Sequence, residues 1–396
     1  MGDGPLKGVR IVDMTRHVAG PFCTMILGDM GADVIKVEPP GKGSPERAAT
    51  PTYRGMSTYF MGSNRSKKSV VLNMKTPEGV SILKKLSETA DVFVENLRPG
   101  VCDRLGVGYK DISAVNGRIV YCSISGYGHD GPSSRRPSYD LVAQALSGLL
   151  SLYSDGRAPP MAPLGLADLT TAMVATQAIL AALLAREKQH VGQFVEVSLL
   201  ESAAFLLQYM AMPVLQGMDT NFDHLTRARQ VGFMGIYSDV SNRFFVIEAP
   251  DDGVFQRAAA IPELKEIVTS PKFSTRPARA SNWQELHQVL QGVLSQKPRE
   301  YWIRELEKVD VPCAAVKTVA EAFQDPQLIY RGGIVELQDE VTGKLKMLNL
   351  PMKFSETAAR VTKRPPLLGE QTDEILGALG YTKDELLALR GKGVIS

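Results

Sequence analysis

The first 125 residues alternate short β-branched runs with stretches of helical periodicity, and this alternation restricts the fold more than any other feature of the chain. GVRIVDM reads as a strand, GPFCTMILGDMGA as a helix with Pro21 near its first turn, where a missing N–H costs little, and DVIKVE as a strand again. KKSVVLNM precedes TPEGVSILKKLSETA, in which Thr76 can cap, Pro77 opens the helix, and Val80, Leu83 and Leu86 recur at helical spacing. DVFVEN and RIVYCSIS supply further strands. Strands separated by helices of this length need crossover connections, hence a largely parallel sheet covered on both faces, a doubly wound α/β layer.

The pattern then changes. From Tyr139 to about Leu184, and from Val197 to about Met212, it is mostly helical and rich in Ala and Leu. Between about Gly217 and Pro312 come a strand-like run, RFFVIEAP, and shorter helices, NWQELHQVLQGVLSQ and REYWIRELEKV, which read as a second, smaller domain. From about Arg331 strand signals return in GGIVELQDEV and GKLKMLNL, followed by a proline-rich turn and a helical ending. A chain of 396 residues has length enough for two such units.

Composition removes several classes of function. The 45 basic and 43 acidic residues leave a net charge of +2, so no global field favours nucleic acid and any anion site must be local. Cys23, Cys102, Cys122 and Cys313 lie far apart and read as buried free thiols. The five histidines lack ligand partners at helical spacing, so no metal site is expected. The opening residues show no targeting pattern, and the apolar stretches, such as 172–184, are short of the roughly 20 helical residues a bilayer needs. A cytoplasmic protein, or an already trimmed organellar one, without a membrane partner is expected.

One motif misleads. Residues 126–131, GYGHDG, match GxGxxG after a strand, yet Pro132, two serines, two arginines and Pro137 follow where a dinucleotide fingerprint requires a helix. The basic residues are more informative. Arg65, Lys67, Lys68 and Lys75 flank one strand, Arg98 and Arg104 flank the exit of the next, and Arg135 and Arg136 follow the glycine turn. Ligands of open α/β sheets collect at the carboxyl ends of the strands, so cations converging there could hold a phosphate-rich ligand. Asp168, in PLGLADLTTAMVATQAILAALLA, is the single charge in an apolar stretch that runs to Arg186. It reads either as the cap of the following helix or as a chemical group, which the helix N-terminus would keep ionised.

The opening LKGVRIVDMTRHVAGPFCTMILGDMGADVIKVEPPGKG, then NRSKKSVVLNMKTPEG, DVFVENLRPGVCDRLGVGY, ISGYGHDGP, SYDLVAQALSG and GLADLTTAM, resembles the class III CoA-transferases of the CaiB/BaiF family. The ending, VPCAAVKTVAEAFQDPQL, LPMKFSET and RPPLLGEQTDEIL, agrees. The resemblance implies a large Rossmann-like domain built from both chain ends, 1–215 and 326–396, a small domain at 216–325, and an interlocked homodimer. It implies that Asp168 attacks an acyl-CoA thioester and becomes an aspartyl-CoA thioester, with CoA and acyl-CoA as substrates and no tightly bound cofactor. CoA contacts are implied for Val18, Ala19, Leu72, Lys75, Asn96, Leu97, Arg98, Arg104 and Tyr139, with Arg136 for a phosphate. Arg47 falls where relatives place an arginine near the acid, which would favour dicarboxylic acids such as succinate.

Two alternatives stay open. The related 2-methylacyl-CoA racemases carry a histidine where Tyr139 stands, because racemisation needs an acid and a base on opposite faces of the α-carbon. Some relatives of the transferases work as heteromers in which one subunit binds CoA without reacting.

Overall fold

The computed structural model describes residues 4–153, 159, 161, 164–218 and 233–396. The chain divides into two compact units: residues 1–208 together with 328–396, and residues 209–327.

Six strands of the first unit form one wholly parallel sheet. Across it they run Lys67–Val71, Asp33–Glu38, Arg10–Asp13, Val92–Glu95, Val120–Ser125 and Gln193–Ser198. In chain order these are the third, second, first, fourth, fifth and sixth strands, so the direction of winding reverses beside Arg10–Asp13. Successive side chains of one strand enter opposite cores, as a two-residue period demands. Val12 and Phe93 join Ile35, Leu83, Leu376 and Leu389 on one face. Ile11, Val92 and Val94 join Leu27, Val120, Ala172 and Ile179 on the other. Each fully buried Leu, Ile or Phe contributes roughly 1.5–3 kcal/mol of transfer free energy, so both faces must be covered for the layer to hold.

Helix Pro77–Glu88 begins as its sequence predicts: the Thr76 hydroxyl accepts the Gly79 N–H at 3.1 Å, and Pro77 opens the first turn. The tail closes the open edge of the third strand. Ser69 N–H donates to Gln371 Oε1 at 2.9 Å, Gln371 N–H to the Ser69 carbonyl at 3.0 Å, and Val71 N–H to Thr372 Oγ1 at 3.2 Å. Backbone groups that an edge strand would leave to another chain are thereby satisfied. The strand signals of the tail form an antiparallel hairpin, Ile334–Asp339 with Gly343–Leu348.

Two elements differ from the sequence reading. Gln193–Ser198 is a sixth strand, not the start of a helical stretch; its alternation spans only QFVEVS and is flanked by two helical runs. Leu166–Gln189 is one 24-residue helix, longer than the apolar stretch within it and long enough to cross a bilayer. In this fold it is a core helix: Ala167, Ala172, Ala175 and Ile179 are buried beneath the sheet with Leu27 of helix Ala19–Asp29.

The second unit has its own core. Strands Gly235–Ser238, Phe244–Ile247 and Cys313–Ala315 form an antiparallel sheet with Phe244–Ile247 at its centre. Phe245, Phe255, Leu286, Leu290 and Trp302 are fully or almost fully buried there, and Trp302 donates its indole N–H to the Leu294 carbonyl at 2.7 Å.

Candidate active site

Where winding reverses, the loops leaving two neighbouring parallel strands part in opposite directions and open a crevice. Here the loops follow Asp13 and Glu95, and Asn96 ties them together. Its Oδ1 accepts the Arg16 N–H at 2.8 Å and its Nδ2 donates to the Arg16 carbonyl at 2.7 Å. The turn into helix Ala19–Asp29 is tight. A Cβ on Gly20 would lie 2.3 Å from the Thr15 side chain, and His17 is held at φ +65°, a conformation few side chains adopt without compensation. The His17 N–H donates to Glu46 Oε2 at 3.2 Å, which supplies part of that compensation.

A cleft of about 280 Å³ opens at this point. The first loop contributes Arg16, His17 and Ala19, and the loop after Glu95 contributes Asn96, Leu97, Arg98 and Pro99. The end of the fifth strand and its glycine turn contribute Ile124, Ser125 and Gly126, and the following segment adds Ser134, Arg136, Ser138 and Tyr139. No helix follows the glycine turn until Asp140, so the GxGxxG match lacks the helix that a dinucleotide needs.

Asp168 also lines the cleft, and its surroundings decide between cap and chemical group. Its helix begins at Leu166 with Gly165 in the capping position, so Asp168 is the third helical residue and its side chain caps no N–H among the described residues. The cap comes from elsewhere: Asp140 Oδ1 accepts the Asp168 N–H at 3.0 Å, while Asp140 Oδ2 accepts from Gln144 Nε2 at 2.6 Å. With the backbone served by Asp140, the Asp168 carboxylate is left to the cleft. Burial, and then the Asp140 charge, push its pKa up to about 7. The expectation that the helix N-terminus would keep it strongly ionised is corrected here: desolvation and a neighbouring carboxylate outweigh the dipole.

The cations of the cleft are equally uncommitted. Among the described residues Arg16, Arg98 and Arg136 enter no ion pair; Arg136 rests near the Tyr127 ring, 5.7 Å from its centroid, with one weak bond to Ser133. Arg16 is half-buried, whereas Arg98 and Arg136 are exposed. His17 meets Tyr139 edge to face, with ring centroids 5.5 Å apart. Positive charge that the described residues leave unmatched makes the cleft suited to a polyanion that ends near the Asp168 carboxylate.

Of the residues named from sequence, Ala19, Asn96, Leu97, Arg98, Arg136, Tyr139 and Asp168 come together in the cleft. Val18 precedes it as the residue before helix Ala19–Asp29, Leu72 is fully buried, and Lys75 and Arg104 are exposed beyond its lining. Arg47 is committed elsewhere: its Nε and Nη2 bind Glu38 at 2.7 and 2.6 Å, its Nη1 donates to the Pro366 carbonyl at 3.1 Å, and its guanidinium covers the Phe60 ring at 3.9 Å. Arg65, Lys67 and Lys68 do not converge on the cleft, since they pair with Asp29, Asp13, and Asp33 with Glu374. Sequence reasoning missed Arg16, His17 and Asp140. The first two lie directly before VAGP, and Asp140 directly after Tyr139, so proximity to named positions was their available signal.

The family model for CoA-transferase family III matches residues 6–372. Succinyl-CoA:glutarate CoA-transferase of Homo sapiens is 35% identical over 394 residues, covering 99% of this chain and 90% of that protein. Succinyl-CoA--D-citramalate CoA-transferase of Chloroflexus aurantiacus is 31% identical, covering 99% and 98%. The crystal structure of a CaiB/BaiF family protein from Brucella suis superposes with a TM-score of 0.83 at 30% identity, covering 95% of this chain and all of that one.

Proposed function

The chain belongs to CoA-transferase family III, and from that premise we propose that it moves CoA from succinyl-CoA, or another dicarboxylyl-CoA, to a carboxylic acid through an aspartyl-CoA thioester at Asp168. The observation that carries this reading is the Asp168 carboxylate, its N–H capped by Asp140 and without a cation partner among the described residues, facing a cleft whose three guanidiniums enter no ion pair among those residues.

The steps balance without ATP, since one thioester is exchanged for another. An Asp168 oxygen adds to the acyl carbonyl, the carbon–sulfur bond breaks, and CoA is expelled as a thiolate, so that the acyl group and Asp168 are joined in a mixed anhydride. The thiolate adds to Asp168 Cγ, the donor acid departs as carboxylate, and aspartyl-CoA remains. The acceptor carboxylate adds to the aspartyl thioester and expels the thiolate, which then attacks the acceptor's acyl carbon. New acyl-CoA departs and the Asp168 carboxylate is restored. The nucleophile must be ionised at the first step, and a pKa of about 7 leaves a large ionised fraction near neutrality while preserving more basicity than an ordinary carboxylate.

The CoA phosphates fall to the exposed Arg98 and Arg136, and the 96–97 segment and Tyr139 flank the pantetheine arm. The distal carboxylate of a dicarboxylic acid falls to Arg16, whose half-buried guanidinium has no counter-charge among the described residues; Arg47 could serve only by releasing Glu38. The similar proteins named for succinyl-CoA, glutarate and citramalate favour dicarboxylic substrates. We assign an interlocked homodimer on the family resemblance. The purified chain, given succinyl-CoA and glutarate, should form glutaryl-CoA, and mass spectrometry should find an Asp168 peptide heavier by one CoA less water. Turnover undiminished in Asp168→Ala would sink the mechanism. Arg16→Ala should raise KM for dicarboxylic acids about ten-fold and spare monocarboxylic ones, the size of one charge-assisted contact.

One observation sustains the racemase reading: His17 shares the cleft with Asp168 and touches Tyr139, so an imidazole is at hand although not at position 139. Deuterium incorporation at the α-carbon of a 2-methylacyl-CoA, without acceptor acid, would favour it over transfer.

A further inference from the structure

Glu95 is a buried carboxyl group that the transfer steps leave unused. It ends the fourth strand, immediately before the cleft-lining residues 96–99. In register it stands opposite Ser123, and Ser123 stands opposite Glu196, so the three side chains share one level across adjacent strands. Glu95 Oε2 accepts the Leu97 N–H at 2.7 Å, and Oε1 accepts the Ser123 hydroxyl. Ser123 Oγ is also 2.7 Å from His129 Nε2, and the His129 N–H donates to Glu196 Oε1. Among the described residues no cation pairs with Glu95. Burial pushes its pKa up, against the bonds from Ser123, Leu97 and the Cys102 thiol and the nearby His129.

A buried carboxyl group without a counter-ion is a cost that its hydrogen bonds must offset, so its geometry is informative. One oxygen orients the peptide that leads from Asn96 into Leu97. The other grips the strand from which Ser125 and Gly126 enter the cleft, and through Ser123 it reaches the histidine of the glycine turn. Two walls of the cleft, carried on neighbouring strands, are thus fixed from behind by a single side chain. We propose that Glu95 is a positioning residue for CoA: it holds residues 96–99 and the 125–129 turn in the arrangement that receives the thioester arm, without touching the reacting atoms. This rests on the reading that the cleft binds CoA.

Two bonds with different demands make the role testable. Both oxygens of Glu95 accept. A glutamine at this place keeps one acceptor, enough for the Leu97 N–H, and presents an amide donor that Ser123 can meet by turning its own proton to His129. An alanine serves neither. Calorimetric titration with free CoA and steady-state kinetics should show Glu95→Ala binding CoA at least ten-fold more weakly and raising KM for acyl-CoA to match, with kcat within about three-fold of the wild type. Glu95→Gln should recover most of the loss. A folded alanine variant with wild-type CoA affinity overturns the proposal, as does a fall in kcat with KM unchanged, which would place Glu95 in the chemistry. If the alanine variant does not fold, Ser123→Ala decides: loss of the linking hydroxyl should weaken CoA binding about three-fold, and unchanged affinity overturns the proposal. Failure of the wild type to bind CoA would instead overturn the reading of the cleft.

Discussion

Two neighbouring regions of the large unit use the same kinds of charged residue to opposite ends. Beside the first strand, Asp13, Lys36, Glu38, Glu46, Arg47 and Lys67 form a buried network in which the charges answer one another. Lys67 spends its three N–H donors on Asp13, the Pro21 carbonyl and Asn64, at 3.0, 2.9 and 2.9 Å. Lys36 meets Glu46 and the Thr15 carbonyl, and Arg47 meets Glu38. A few residues further on, the cleft holds Arg16, Arg98, Arg136 and Asp168, none paired with another side chain of opposite charge among the described residues. The two acids record the difference. Burial alone would raise Asp13, but Lys67 and Lys36 bring its pKa down to about 2, whereas Asp168, less completely buried and without a cation partner among the described residues, rises to about 7. A paired charge is a structural part; an unpaired one is left for chemistry.

Neutralising Asp168 in the cleft and Lys67 in the network separates these roles. Asp168→Asn should cost turnover at least about a thousand-fold, because in the proposed mechanism the nucleophile acts in every step and has no substitute. A rapid-quench assay of CoA exchange checks it, and residual activity within ten-fold would place the nucleophile elsewhere. In the network the effect should appear in stability. Lys67→Met strands Asp13 in the interior, and breaking such a pair costs about 3–5 kcal/mol, eased toward the lower figure by Lys36, Thr15 and Thr24. Urea unfolding measures it. A loss below about 1 kcal/mol would mean that water reaches Asp13 and that the two regions are less different than the geometry makes them.

The third expectation reverses the usual direction. A group whose folded pKa is raised from 3.8 to about 7 penalises the fold once it must ionise, so the penalty is absent below pH 3.8, grows between 3.8 and 7, and is complete above. Asp168→Asn removes it. At pH 8 the variant should be more stable than the wild type by about 1–2 kcal/mol, less than the linkage limit of about 4 because the carboxylate is partly open to the cleft. At pH 4 the two should unfold together. Equal stability at both pH values would show that the site stores no such cost.

The legible and the illegible parts of this chain divide along the same line. Five of the six strands, the Thr76 cap and the two strands of the tail follow from periods and caps confined to a few neighbouring residues. The sixth strand was masked by its helical flanks. At the site, the motif pattern led to Asp168, Asn96, Leu97, Arg98, Arg136 and Tyr139, yet nothing local shows that Asp140 supplies the cap which Asp168 was suspected of being. Nor does sequence reveal that Arg47 and Lys67 are consumed by Glu38 and Asp13. A cation's availability depends on what the fold brings to it from distant positions, and Glu38 and Arg47 meet only because a strand end and the following turn fold back on one another.

The smallest effect tests the cleft's own electrostatics. If Asp168 must be ionised to attack, kcat/KM of the free enzyme should fall about ten-fold per unit below a midpoint near pH 7. Carboxylic acid substrates titrate near pH 4–5, so a limb near 7 belongs to the protein. Asp140→Asn keeps an oxygen to accept the Asp168 N–H and removes only the charge. Burial is the larger cause of the raised pKa and remains, so the limb should move to lower pH by only about 0.5 unit. A limb that stays in place would leave burial as the sole cause. Movement to higher pH would mean that the Asp140 bond to the helix, rather than its charge, governs Asp168, and the contrast with Asp13 would then rest on hydrogen bonding instead of ion pairing.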